Sequence, residues 1–484
     1  MFTLIIVALC ALVSSFVLTP FFRDFFGFLH VVDEPDFTRK FHVRPIPRVG
    51  GIPLAVTYVL GLAALVVGWW TGVLDWRDPS INLMFRLVPA VVLIFAAGLF
   101  DDLRGLSPWR KLACELAAAT YAWSIGVRLA TPPGFPDHLT IAVGVMSIFW
   151  LVLCANAINL IDGLDGLATG VALLASVSLL IAAVIHHHPG LALVLAPFVG
   201  CLFGFLYYNF NPASVFLGDS GSLLVGFLLG CYGLLWHQRA TTGLGMAAPL
   251  VALALPVGEV MLSIARRFLR NRPIFGADRN HIHHKILSKG LSPRGTALIL
   301  YGVSALTGSL AVLQTILHPR MATVLLLLLV AVAYVGFRSL HYTEFGVLNY
   351  FLFAGGFRRV LRANIYLKEY EQSLAAALTL EECWLALRNT CREADFTYVA
   401  LRVDGKFFED KLNGLRQNPA ACVQIALSPS DSATFSHDPT SPELAMLIAP
   451  FFEGLRSKLN TTGALTLRNA VPSDPLTAQT AAAG

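Results

Sequence analysis

Long apolar runs are the feature that most limits how this chain can fold. Each run has about 17 to 22 residues, which is enough for a helix to cross a hydrocarbon core roughly 30 Å thick. Hydrophobic residues make up 56% of the 484 residues and charged residues only 13%, whereas soluble proteins carry roughly 25% charged residues. The sequence therefore excludes a wholly soluble protein and predicts an all-α polytopic integral membrane protein.

Charged residues, Pro and Gly delimit about eleven such runs, and each is predicted to form a transmembrane helix. They lie near residues 1–20, 50–70, 84–100, 111–130, 139–156, 167–185, 190–208, 221–237, 244–263, 297–317 and 321–339. The first run follows no basic residue and has no small-x-small cleavage site, so we expect a retained helix. An odd number of spans predicts that the two termini lie on opposite sides of the membrane.

The loops between the runs fall into two alternating sets that differ in Lys and Arg content. The basic set follows the first, third and ninth runs, and its last member extends from Arg266 to Arg294. Because cytoplasmic loops carry an excess of Lys and Arg, these loops are predicted to be cytoplasmic and the amino terminus external. This orientation also explains the net charge of +5, so we expect no nucleic-acid partner.

The composition changes after the last run. Residues 1–345 are predicted to form the transmembrane domain, and residues 362–470 a small cytoplasmic α+β domain, with helical periodicity followed by the strand-like segments TYVALRV and CVQIALS. Residues 471–484 have too little apolar surface to order and are predicted to form a disordered tail. The residues of the α+β domain suggest no chemistry, and its ligand or partner stays open.

Polar clusters at the ends of the apolar runs are the most informative feature, because carboxylates near hydrocarbon depth are costly. The motifs that contain them are GLFDDLRGLSPWRK, NAINLIDGLDG, FLGDSGS and ADRNHIHHKIL. All four are predicted to lie on the cytoplasmic side, where their loops can converge. The candidate site residues in them are Asp101, Asp102, Asn156, Asn159, Asp162, Asp165, Asp219, Arg279, His281, His283 and His284.

Several carboxylates beside many Arg, Lys and His donors favour one kind of ligand, a magnesium-bound phosphate or diphosphate. Carboxylate oxygens suit hard cations such as Mg²⁺, which bridge to substrate phosphates. The basic side chains would offset the remaining phosphate charge. The clusters therefore predict phosphoryl transfer.

Each cluster also has a structural explanation. Asp101 and Asp102 could be a solvated helix end, the Asn and Asp stripe a helix-packing seam, and HIHH a transition-metal site. Glu259 lies about one turn inside the cytoplasmic end of the ninth run. It is either a site residue or an acid paired with Arg266.

Together with DEPDFTRKFHVRPIPRVGG, these motifs resemble those of the polyprenyl-phosphate N-acetylhexosamine-1-phosphate transferases. The resemblance covers roughly residues 1–340, with five motifs in the family's order. The HIHH form is most similar to the undecaprenyl-phosphate GlcNAc-1-phosphate transferases of O-antigen lipopolysaccharide, teichoic-acid and related cell-wall glycan synthesis. The resemblance implies a multi-pass enzyme of the bacterial inner membrane.

The reaction that this resemblance implies is attack by a polyprenyl phosphate on the β-phosphorus of UDP-GlcNAc, which yields UMP. Mg²⁺, or Mn²⁺ in its place, would be held mainly by Asp219, with Asp101, Asp102 and Asp162 beside it. Asp101 and Asp102 would position or deprotonate the lipid phosphate. The substrate-binding positions carried over by motif are Lys40, Arg48, Arg104, Lys111, Asn156, Asn159, Asp162, Asp165, Arg279, His281, His283 and His284.

Two alternatives stay open at this point. The donor could be another UDP-N-acetylhexosamine or UDP-MurNAc-pentapeptide, because sugar discrimination depends on a few loop contacts. A polytopic transporter is the more distant alternative, and charges near the bilayer midplane with inverted repeats would favour it. The oligomeric state, including a homodimer, is open as well.

Overall fold

The computed structural model describes residues 2–33, 45–72, 79–130, 137–239, 247–269, 281–339, 356–412, 421–426, 431–437 and 442–461. The chain divides into two compact units, Met1–Leu340 and His341–Gly484. In these ranges the first unit is almost entirely helical, and the second combines helices with an antiparallel sheet. Lys40, Arg279 and the predicted tail at 471–484 lie outside the described residues.

Fourteen helices form the described part of the first unit. They are α1 Phe2–Phe28, α2 Gly51–Trp70, α3 Pro79–Arg86, α4 Val88–Arg104, α5 Pro108–Ser124, α6 Asp137–Ile161, α7 Leu167–Ile185, α8 Pro189–Asn209, α9 Gly218–Arg239, α10 Ala247–Ala252, α11 Ala254–Leu269, α12 Ile282–Leu287, α13 Pro293–Ile316 and α14 Pro319–Ser339. Two short antiparallel strands, β1 Val32–Asp33 and β2 Ile46–Pro47, precede α2.

Each predicted apolar run coincides with a helix or a helix pair. Within the described residues, seven helices are long and apolar enough to cross a membrane, namely α1, α2, α6, α7, α8, α9 and α13. The run near 244–263 is divided at Leu253 into α10 and α11, and the run near 84–100 begins in α3 and continues in α4. Pro89 lies in the first turn of α4, where the missing N–H of proline favours a helix start.

The outer surface of the first unit is apolar. Phe21 of α1 is 62% exposed and Trp70 of α2 is 83% exposed, and α13 and α14 likewise expose Leu, Ile and Val side chains. A surface of this kind is stable against lipid and not against water. The chain is therefore a multi-pass membrane protein.

Helix α9 lies at the centre of this unit. It packs against α2, α4, α6 and α7, and even its polar residues Ser220 and Ser222 have no exposed surface. Gly226 allows α6 to approach closely, since a Cβ there would lie 2.8 Å from the Cα of Ala155. The surrounding helices bring their connecting loops to the amino-terminal end of α9, where Asp219 lies in the first turn.

The second unit contains α15 Gly356–Ala376, α16 Leu380–Glu393, β3 Tyr398–Val403, β4 Lys406–Lys411, β5 Ala421–Ala426, β6 Ser432–His437 and α17 Pro442–Thr461. The strands form an antiparallel sheet in the order β4-β3-β6-β5. Tyr370, Leu387, Phe396, Phe435 and Phe451 form its buried core. The two strands predicted from sequence are present as β3 and β5, whereas β4 and β6 were not predicted because charged or small residues dominate them.

Candidate active site

Oppositely charged side chains from three parts of the chain meet at the amino-terminal end of α9. Arg48 Nη2 donates to Asp219 Oδ1 at 2.6 Å. Lys111 Nζ donates to Asp219 Oδ2 and also, at 3.1 Å, to Asp101 Oδ2. Asp219 thus has one cation at each carboxylate oxygen, and Lys111 links it to Asp101.

Backbone pairing places Arg48 in this cluster. Phe216 N donates to Pro47 O at 3.0 Å, and Gly50 N donates to Phe216 O at 2.9 Å. Residue 50 must be glycine for this approach, because a Cβ there would lie 2.9 Å from the Cα of Leu217. Residues 47–50 of the DEPDFTRKFHVRPIPRVGG motif therefore dock directly on the FLGD motif.

Asp102 caps α9 from the neighbouring helix α4. Its two oxygens accept from Asp219 N at 2.8 Å, Ser220 N at 2.9 Å and Ser220 Oγ at 2.7 Å. Arg48 Nε lies 3.3 Å from the same carboxylate, and only 1% of the Asp102 side chain is exposed. A carboxylate suits a helix amino terminus because it accepts from the first backbone N–H groups. Asp102 therefore holds Asp219 in place.

Asp101 is oriented differently from its neighbour. Its Oδ1 accepts from Leu106 N at 2.5 Å in the turn after α4, and its Oδ2 accepts from Lys111. The side chain is 17% exposed. Of the two adjacent aspartates, Asp101 is the one that is open to a ligand.

Asp162, in the loop after α6, faces the same cluster. Burial raises the pKa of Asp162 well above its usual range; the Arg48 guanidinium opposes this rise, and the carboxylates of Asp219, Asp102 and Asp165 add to it. A cation bound beside Asp162 would offset this excess of negative charge.

The other polar residues of NAINLIDGLDG make contacts between structural elements. Asn159 Nδ2 donates to Ser222 Oγ of α9 at 2.9 Å. Asp165 Oδ2 accepts from Asn211 Nδ2 at 2.9 Å and from Ala213 N at 3.1 Å, which ties the loop after α6 to the turn after α8. Asn159 and Asp165 therefore behave as the helix-packing seam that the sequence offered as an alternative, whereas Asp162 faces the charged cluster.

Glu115 is a buried acid near the cluster that the sequence reasoning did not single out. It lies on α5, one turn after Lys111, is 2% exposed and accepts a hydrogen bond from Asn156 Nδ2. An acid inside a predicted span is by itself a signal for a functional site. That rule, applied to the run RKLACELAAA, would have identified Glu115 from sequence.

The HIHH segment contacts the loop that carries Asp162. His283 on α12 is 2% exposed, and a Cβ at Gly163 would lie 2.8 Å from its Nε2. This Nε2 has no hydrogen-bond partner in the part of the chain that the structure describes. Burial, together with the rings of His284 and His281, lowers the pKa of His283 to about 3, so the ring is neutral at physiological pH.

Arg104 is placed away from these contacts. It is exposed, and its guanidinium carbon lies 5.6 Å from the centre of the Phe100 ring. His284 stays beside His283, with ring centres 4.3 Å apart.

The carboxylates fit a magnesium ion that keeps several waters. Among the described residues, no three His, Cys, Asp or Glu side chains form a complete metal site. Asp219 and Asp101, however, already share one cationic group, the Lys111 ammonium. Mg²⁺ is commonly bound through one or two carboxylates, waters and substrate phosphates, so this pair meets its needs.

Comparison with known proteins places this site in a family. The family described as Glycosyl transferase family 4 matches residues 84–237, which include Asp101, Asp102, Lys111 and Asp219. The chain is also 30% identical over 308 residues to a Bacillus subtilis protein described as a probable undecaprenyl-phosphate N-acetylglucosaminyl 1-phosphate transferase, covering 62% of this chain and 82% of that protein. The chain belongs to the polyprenyl-phosphate N-acetylhexosamine-1-phosphate transferases. This confirms the resemblance seen in the motifs and makes the chain a phosphotransferase rather than a transporter.

Relatives of this transferase differ in their named substrates. A decaprenyl-phosphate N-acetylglucosaminephosphotransferase of Mycolicibacterium smegmatis is 32% identical over 304 residues, covering 54% of this chain and 70% of the relative. A phospho-N-acetylmuramoyl-pentapeptide-transferase of Limosilactobacillus reuteri is 28% identical over 284 residues, covering 56% and 84%. Arg48, Glu259 and the HIHH segment lie outside the matched residues 84–237 of the family.

Proposed function

We propose that this transferase moves GlcNAc-1-phosphate from UDP-GlcNAc to undecaprenyl phosphate and releases UMP. The observation that carries the proposal is the meeting of Asp219 and Asp101 with Arg48 and Lys111 at the end of α9. Two relatives whose names give GlcNAc as the transferred sugar support the choice of donor.

The reaction needs positioning and charge compensation more than a protein nucleophile. An oxygen of the lipid phosphate forms a bond to the β-phosphorus of the donor, and the bond from that phosphorus to the bridging oxygen breaks. A phosphomonoester has a second pKa of about 6, so the lipid phosphate is already largely ionised. Lys111 and Arg48 supply positive charge, and Asp101 is placed to accept a residual proton.

A divalent cation completes this proposal. Asp219 and Asp101 would hold Mg²⁺, or Mn²⁺ in its place, with Asp162 adding negative charge nearby. The ion would compensate charge on the departing UMP phosphate. Asp102 acts on this site through Asp219, because its side chain is only 1% exposed and both its oxygens accept backbone hydrogen bonds at the start of α9.

The proposed topology has eleven spans in the bacterial inner membrane, an external amino terminus, and cytoplasmic site loops and second unit. The site supports this arrangement, since α4 and α6 end where α9 begins, as alternate crossings of a membrane require. A reporter fused within residues 266–294 should give a cytoplasmic signal, and a periplasmic signal would overturn the orientation.

UDP-MurNAc-pentapeptide is the second candidate donor, and the Limosilactobacillus reuteri relative is the reason to keep it. The donor test therefore compares UDP-GlcNAc, UDP-GalNAc and UDP-MurNAc-pentapeptide. It measures UMP release by the detergent-purified full chain with undecaprenyl phosphate and Mg²⁺. UMP release with UDP-GlcNAc alone supports the proposal. Release with another donor would refute GlcNAc as the transferred sugar and keep the reaction. Absence of lipid-dependent UMP release from folded protein would refute the reaction itself.

A further inference from the structure

Glu259 is a buried acid with all its described partners in the HIHH segment. Only 1% of the residue is exposed. Its Oε1 accepts from His281 Nδ1 at 2.9 Å and from Ile282 N at 3.1 Å, and its Oε2 lies 3.2 Å from the same Ile282 N. The alternative drawn from sequence, an acid paired with Arg266, is not found among the described residues, because these contacts go to His281 and Ile282.

The contact to His281 determines which ring nitrogen is left for a ligand. A carboxylate accepts from Nδ1–H, so Nε2 is the nitrogen that Glu259 does not engage. In metal sites, a carboxylate behind a histidine in this way sets both its tautomer and its orientation. The His281 ring also stacks on His283, with centres 5.7 Å apart and planes 12° from parallel.

The contact to Ile282 N determines where α12 begins. His281 precedes the helix in extended conformation, and its side chain makes no cap to its own helix. Glu259, from α11, accepts the first backbone N–H of α12 instead. Because His283 follows in the first turn and packs on Gly163, Glu259 holds α12 in the register that brings the His283 imidazole to the loop of Asp162, with the His281 ring beside it.

We propose that Glu259 is a positioning residue of the transferase, which acts through His281 by presenting its Nε2 to the diphosphate of the UDP-sugar. The inference rests on the proposed function and deepens it. The side chain of Glu259 is one methylene longer than that of an aspartate. Aspartate at this position would withdraw the carboxylate by about 1.5 Å and lengthen both contacts.

The test is a double-mutant cycle on the purified full chain. Kinetics of lipid-dependent UMP release are measured for Glu259→Gln, Glu259→Asp, His281→Ala and Glu259→Gln with His281→Ala. Asp24→Asn is the control, because it makes the same acid-to-amide change at a side chain of the first unit that is 68% exposed. We expect Asp24→Asn to stay within about twofold of wild type.

Glu259→Gln should lower kcat by about 10- to 100-fold, the range seen when a carboxylate that orients a ligating histidine is removed. The KM for undecaprenyl phosphate should change less than about twofold. Glu259→Asp should restore part of the loss. On the His281→Ala background, Glu259→Gln should have no further effect, since a residue that acts through another is not additive with it.

Several outcomes would overturn the inference. Wild-type kcat in Glu259→Gln, or losses that multiply in the double variant, would show that Glu259 does not act through His281. A lowered melting temperature with unchanged kcat per folded molecule would assign Glu259 to stability alone. If Glu259→Gln does not accumulate, the same cycle is run with Glu259→Asp.

A readout independent of turnover separates this inference from the proposed function. UDP-GlcNAc should raise the melting temperature of the wild-type protein, and this increase should shrink in both Glu259→Gln and His281→Ala. Inactivity of the wild type with every donor would refute the proposed reaction, while the thermal shifts would still decide whether Glu259 and His281 act together on the nucleotide sugar. Equal shifts in all three proteins would refute the inference.

Discussion

Replacement of Asp102 by Asn should destabilise the protein more than the same replacement of its neighbour Asp101. In the sequence the two residues are an indistinguishable DD pair. In the structure Asp102 is 1% exposed and caps α9, whereas Asp101 is 17% exposed and accepts one backbone and one lysine contact. The difference in burial and partners allows the two losses to be worked out separately.

An asparagine at 102 has only one acceptor oxygen. If this oxygen keeps its contacts with Ser220, the side-chain NH₂ group takes the place of the other carboxylate oxygen. The hydrogen bond from Asp219 N and the contact with Arg48 are then lost, and the NH₂ group faces the Asp219 N–H. A hydrogen bond to a charged group contributes about 1.5 to 3 kcal/mol, and the contact to Arg48, whose side chain is 45% exposed, adds about 1 kcal/mol or less. Neutralising a buried carboxylate also removes its desolvation cost, which offsets part of these losses. We therefore expect Asp102→Asn to lower the free energy of unfolding by about 2 kcal/mol.

An asparagine at 101 keeps its oxygen towards Leu106 N and loses only the Lys111 contact. The Asp101–Lys111 pair is partly exposed, and Lys111 keeps its contact with Asp219. The expected loss in the free energy of unfolding is therefore about 1 kcal/mol or less. Melting temperatures and unfolding titrations of both variants in the same detergent measure the difference. Both variants should lose turnover, so activity alone does not separate the two roles.

Ser220→Ala provides a check on the cap itself. It removes the Ser220 Oγ bond to Asp102 at 2.7 Å and leaves the backbone bonds in place. Ser220 Oγ donates to a carboxylate in the wild type but to a neutral amide oxygen in Asp102→Asn, and hydrogen bonds to charged groups are the stronger ones. The losses from Ser220→Ala and Asp102→Asn should therefore be less than additive when combined. Equal destabilisation by Asp101→Asn and Asp102→Asn, or full additivity with Ser220→Ala, would refute this account.

Three further changes test other parts of the site. Asp219→Asn should nearly abolish Mg²⁺-dependent UMP release while the protein still accumulates in membranes; normal turnover would remove Asp219 as a metal ligand. Asp162→Asn should melt at a higher temperature than the wild type at neutral pH in the presence of a chelator. The raised pKa of Asp162 means that the folded protein favours the neutral carboxyl group. The stability of the wild type therefore falls as the pH rises above the usual carboxyl range, and the variant avoids this loss. The same variant should lose turnover, and a lower melting temperature would contradict the electrostatic argument. Deletion from residue 356 onward should leave UMP release measurable, since every described residue of the charged cluster lies in the first unit; total loss with intact membrane insertion would make the second unit part of the catalytic machinery.

The sequence by itself determined the helices, the family and the candidate residues of the site. Length and apolarity of a run are local properties, so all eleven predicted runs coincide with helices. The charged motifs could be found for the same reason, since carboxylates at the ends of apolar runs are conspicuous in any one-dimensional reading. Lys111, Asp101 and Asp219 were all among the predicted residues, and the structure brings them together.

Only the tertiary structure decided what each of these side chains contacts. The division of Asp101 and Asp102 into an open acid and a helix cap depends on where α9 begins relative to α4, which is 117 residues away along the chain. The pairing of Glu115 with Asn156 and of Glu259 with His281 likewise joins separate helices. Local periodicity predicts which face of a helix is apolar, but the partner of a buried carboxylate depends on how helices pack, and that is a property of the whole fold.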